Sequence, residues 1–100
     1  MLSGAGADSF LPVSVFTGGS AYMMVRDIAD GFVLANEMMF KQFTRPDFAM
    51  FSQEAEKFLR EVRANQPPLT DVEGTQKRHR RVQRLQQAMV IARNVLSRRF

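Results

Sequence analysis

The side chains able to do chemistry are few. His79 is the one histidine and cysteine is absent, which removes thiol nucleophiles, thiolate zinc sites and disulfides. Arg78 and Arg80 flank His79, and their charges repel a metal cation, so this imidazole reads as a solvated side chain. The carboxylate spacings Glu54/Glu61 and Asp27/Asp30 fall on helix surfaces, with no second cluster to complete an acid–base pair or a metal site. Gly4-Ala5-Gly6 and Gly18-Gly19-Ser20 lack the strand–loop–helix setting and the lysine of a phosphate loop. The expectation is a protein that is not an enzyme and carries no cofactor or metal.

What remains is charge. The formal net charge of +4 is unevenly distributed: residues 1–73 carry six basic and ten acidic residues, while residues 74–100 carry eight basic and no acidic ones. Lys77, Arg78, Arg80, Arg81, Arg84, Arg98 and Arg99 form the candidate surface for an anion or an acidic partner. The planar guanidinium fork donates in pairs to phosphate and carboxylate alike. After Phe58 the only Phe, Tyr or Trp is Phe100, which disfavours a base-stacking platform for single strands. Backbone phosphate or acidic protein is the better match.

These residues need a helix to place them. Val82, Leu85, Met89, Ala92 and Leu96 recur at steps of three and four, predicting an amphipathic helix over about 75–98. Lys77, Arg80, Arg81, Arg84, Arg98 and Arg99 are then expected on the side away from that seam. Phe48, Phe51, Ala55, Phe58 and Val62 repeat the same pattern and predict a helix over about 46–64, packed along the seam. Thr44 and Asp47 fit a capping box, Pro46 suits a first turn, and Pro67-Pro68 cannot continue the helix. The short loop 65–74 makes the pair an antiparallel hairpin. Thr70 and Glu73 offer a second capping box, with the helix start falling between Asp71 and Thr75.

Ser20 is a suitable N-cap for a further helix over about 20–43. Val25, Ile28, Phe32, Ala35 and Met39 form one stripe, and more apolar residues spread around it. Arg26, Asp27, Asp30, Glu37 and Lys41 share a sector of about 100° on an ideal helix, with Arg26–Asp30 and Glu37–Lys41 as local pairs. So narrow a polar stripe predicts burial. Gly31 weakens this helix by roughly 1 kcal/mol relative to Ala. The fold class is therefore all-α: an antiparallel helical hairpin, a buried apolar helix and an extended N-terminal arm.

The arm covers residues 1–19 and is small, Gly-rich and interrupted by Pro12. Phe10, Leu11, Val13, Val15 and Phe16 make it apolar enough to dock in a groove of another chain. Its start lacks the basic region of a signal peptide. The most apolar stretch, 21–43, contains the five charged residues just named, which a membrane span tolerates poorly, so no integral span is expected.

Within residues 56–93, Phe58-Leu59, Pro68, Gly74-Thr75, Arg78-His79 and Arg81 resemble the hairpin of the bacterial-type small-subunit ribosomal protein numbered eighteen. Ala88-Met89 and Ala92-Arg93 join that alignment only if two residues are inserted into a helix, which rotates one face away. Thr70-Asp71-Val72-Glu73 also stand where that family has basic residues. The chain is not assigned to it.

One hundred residues fit a single small domain, and nine Phe with seven Met are many for that length. Met packs adaptable interfaces, and a small core often gains stability from a partner. The functional expectation is a structural or adaptor subunit of a larger assembly such as a virion, a secretion machine or a ribonucleoprotein. Its partners would be other protein subunits, through self-association or a hetero-complex. The alternative is a nucleic-acid-binding protein that grips the phosphate backbone through its basic C-terminal helix.

Overall fold

Side-chain caps set the start of each helix. In a computed structural model, which describes residues 15–100, the order is α1 (Ala21–Ala29), a 3-10 turn (Glu37–Phe40), α2 (Arg45–Ala64) and α3 (Val72–Arg99). Ser20 accepts from the Met23 amide at 3.1 Å. Thr44 and Asp47 close a reciprocal capping box, with the Thr44 amide donating to Asp47 at 2.8 Å and the Asp47 amide donating to Thr44 at 3.4 Å. At α3 the cap is Asp71, which accepts from the Gly74 amide at 2.8 Å. The expected Thr70/Glu73 box is not the one used: the helix begins at Val72, which makes Asp71 its cap.

The three helices pack together and no strand occurs among the described residues. α2 and α3 form the antiparallel hairpin, and α1 packs against both. Phe48, Phe51, Ala55, Phe58, Leu59 and Val62 of α2 are buried, as their spacing requires. On α3 the buried line is Leu85, Ala88, Ala92 and Val95. Val82, Met89 and Leu96, expected at the centre of the seam, are only partly buried. The reason is geometric: α3 meets α2 on one flank and α1 with the 3-10 turn on the other, so its most buried line falls between the two contacts.

The first helix is shorter than its apolar content suggests. It stops at Ala29 and the chain turns at Gly31, with φ +83°. The Phe32 amide donates to the Asp27 carbonyl at 2.9 Å and the Gly31 amide to Ile28 at 3.1 Å. These are the two bonds of a Schellman stop, which requires a left-handed residue where Gly31 stands. From Gly31 the chain runs along α3 to the 3-10 turn, capped by Asn36, which accepts from the Met39 amide at 3.2 Å.

Rings fill the end of the core beneath that turn. Phe40 is fully buried, with Phe43, Phe51 and Phe48 centroids at 5.2, 5.3 and 6.4 Å. Phe16 packs edge-on against Phe43 at 5.1 Å and is buried. Phe16 was expected to await another chain, but the aromatic cluster takes it, and the turn through Gly18 and Gly19, both at positive φ, folds it back. Val15 is half-buried beside it. The rest of the expected docking arm, including Phe10, Leu11 and Val13, lies outside the described residues.

Candidate interaction surfaces: an arginine-held strap and a cationic cleft

Helix C-termini expose carbonyls without intrahelical partners, and cations suit that end of the helix dipole. Three arginines of α3 meet this need for the other elements. Arg84 Nη1 donates to the Ala29 carbonyl at the end of α1 at 3.0 Å. Arg78 Nε donates to the Val62 carbonyl in the last turn of α2 at 3.3 Å. Arg99 Nη1 closes the 3-10 turn, donating to the carbonyls of Phe40 at 3.4 Å, Phe43 at 2.9 Å and Lys41 between them.

The ion pairs follow the same plan. Asp30 pairs with Arg81 at 2.9 Å, Glu37 with Arg98 at 3.1 Å, and Arg26 with Glu61 at 3.0 Å. The local pairs expected within one continuous helix, Arg26–Asp30 and Glu37–Lys41, give way to these tertiary ones. Of the seven basic residues singled out in the sequence, Arg78, Arg81, Arg84, Arg98 and Arg99 are thus engaged with the protein itself. Lys77 and Arg80 are exposed and make no hydrogen bond or ion pair among the described residues.

Two surfaces result. The first is the strap formed by residues 30–40. Arg81 and Arg84 hold its start on the first half of α3, and Arg98 and Arg99 hold its end on the last turn. Between these clamps exposure alternates. Val33 and Ala35 pack against the core, while Phe32 and Leu34 are 79% and 85% exposed, followed by Met38 at 70%. A Schellman stop usually pairs the residue after its glycine with an apolar side chain about a turn back. Here the residues in that place are Asp27 and Arg26, so Phe32 has no such partner in its own helix.

The second surface is a cleft between the hairpin arms, near the 65–71 turn. Steps of three and four taken backwards from the buried Leu85 reach Arg81, then Arg78 and Lys77, then Gly74. The inward line of α3 therefore becomes cationic where it should have stayed apolar. Each large apolar side chain buried there would contribute roughly 1.5–3 kcal/mol. Instead there is a cleft of about 310 Å³, lined by Arg26, Lys77, Arg78 and Arg81 with a single carboxylate, Glu61. Phe58, Val62 and Pro67 supply its apolar wall. The guanidinium carbons of Arg26 and Arg81 lie 5.3 and 4.9 Å from the Phe58 ring centroid. Arg26 also stands 4.4 Å from the Tyr22 ring, so its buried Nε, which has no hydrogen-bond acceptor among the described residues, faces aromatic surface.

Lys77 and Arg81, expected on the side of α3 away from the Val82–Leu96 seam, line this cleft; the cue was the absence of apolar residues on the inward line before Val82. Nothing in the sequence pointed to the strap. No three His, Asp or Glu side chains among the described residues approach closely enough to hold a metal ion, and no helix there is long and apolar enough to cross a membrane. The chain matches no protein-family model, no curated protein and no solved structure.

Proposed function

We propose that the protein is a non-enzymatic structural or adaptor subunit of a larger assembly, and that it self-associates through the strap. The observation that carries this reading is the exposure of Phe32, Leu34 and Met38 on a segment held at both ends by arginines. Large apolar side chains presented in a row mark interaction surfaces in soluble proteins. A segment so held loses little further conformational freedom on docking, which is a main cost of association. The basic helix serves the assembly largely from within, as the scaffold that fixes the strap.

That division weighs against the rival reading of α3 as a phosphate-tracking helix. A backbone grip needs several unengaged cations along one face, and Arg84, Arg98 and Arg99 are engaged internally. The test is the mass of the protein in solution as its concentration is raised, compared with a variant in which Phe32 and Leu34 are serine. Self-association that the variant loses supports the reading. Salt-sensitive binding to generic duplex by a strictly monomeric protein would favour the rival.

A further inference from the structure

We infer that the cleft between the hairpin arms is a binding site for a dianionic phosphate monoester. Four cationic side chains line it against the one carboxylate of Glu61. Arg81 is partly balanced by Asp30 outside the lining, so the residual charge calls for a doubly charged ligand rather than a single carboxylate.

The donors are held in place for this. Arg78 and Arg81 each commit Nε to a protein oxygen, Val62 carbonyl and Asp30 respectively. That fixes the base of each fork and leaves its terminal nitrogens for an oxyanion. Planar forks fixed in this way suit phosphoryl oxygens. The Lys77 ammonium has no partner among the described residues and serves as the mobile charge. A volume of about 310 Å³ is at the small end for ligand sites. It fits a phosphoryl group with a small organic body against Val62 and Pro67, and not a nucleic-acid strand continuing in both directions.

The inference is independent of self-association, and its test reads ligand binding rather than mass. The full chain is titrated with phenyl phosphate, inorganic phosphate and dimethyl phosphate while backbone amide shifts are followed. The expected result is saturable shifts confined to the cleft, at Arg26 and about residues 58–67 and 74–81, for the first two ligands, with dissociation constants below about 1 mM. Phenyl phosphate binding more tightly than inorganic phosphate supports the organic monoester, and equal binding of the two would contradict it. Binding should strengthen from pH 5 to pH 7.5, because the second proton of a phosphate monoester leaves near about pH 6. Lys77→Gln should weaken binding about tenfold, the loss of one ionic contact, without moving the melting temperature of the free protein. Arg93→Gln, several turns further along α3, should leave affinity unchanged. The inference is overturned by the absence of saturable shifts, by equal binding of monoanionic dimethyl phosphate, or by equal weakening in the two variants. A short DNA duplex that binds more tightly than either monoester would overturn it as well.

Discussion

The guanidinium of Arg84 crowds the position of a side chain on residue 31: a Cβ built on Gly31 would lie 3.1 Å from the Arg84 carbon Cζ. The same arginine donates to the Ala29 carbonyl. Gly31 thus does two things at once, adopting the left-handed turn that ends α1 and leaving room for the cation that caps it. The strap begins at this contact, so its direction depends on both residues.

Gly31→Ala should destabilise the protein by about 2 kcal/mol, combining left-handed backbone strain with crowding of Arg84. Arg84→Ala alone should cost about 1 kcal/mol for the lost carbonyl cap. In the double variant the crowding disappears and the backbone strain remains, so the two costs should fall short of additivity by roughly 0.5–1 kcal/mol. Urea unfolding of the four proteins measures this, and strict additivity would mean that the two residues do not touch.

Removing Arg99 should act locally. Arg99→Gln withdraws the guanidinium shared by the Phe40, Lys41 and Phe43 carbonyls, a loss of about 1 kcal/mol at an exposed position. The Lys41 and Phe43 amides, bonded to Met38 and Phe40, should exchange hydrogen faster while those in the middle of α2 keep their protection. A uniform change across the chain would contradict the clamp.

The aromatic positions separate core from surface. Phe40→Ala should cost about 3–5 kcal/mol, as truncation of a fully buried ring does, and Phe58→Ala a similar amount at the hairpin seam. Phe32→Ala should change monomer stability by less than about 0.5 kcal/mol. Thermal melts at low concentration distinguish the three. A large loss for Phe32 would place its ring in the core and remove the strap as an interaction surface.

Thr44→Ala should cost about 1 kcal/mol through loss of the cap on α2. Its effect should be confined to the start of that helix, visible as faster exchange at the Asp47 amide.

The hairpin was legible because its signals are local. The period of Phe48, Phe51, Ala55, Phe58 and Val62 and the Thr44/Asp47 box each lie within a few turns of one helix, and one register satisfies them all. The end of the first helix was not legible for the opposite reason. Apolar residues continue past Ala29 at helical spacing, and a glycine inside such a pattern costs only about 1 kcal/mol. Part of what holds the turn is Arg84, more than fifty residues away. The basic cluster shows the same limit. Periodicity identified α3 and its charge, but whether an arginine faces solvent or another helix's carbonyl depends on where that helix ends. The cleft was half visible, as a gap in the apolar line before Val82.

Self-association through the strap is tested most directly by light scattering coupled to size exclusion. It is run at roughly 100 µM and roughly 1 µM, which bracket a micromolar dissociation constant. The monomer mass is 11.4 kDa. The expected mass is at least twice that at the higher concentration, falling toward the monomer on dilution, and that of a monomer at both concentrations when Phe32 and Leu34 are serine. A folded wild-type monomer at both concentrations, or a double variant that assembles as the wild type does, would contradict it.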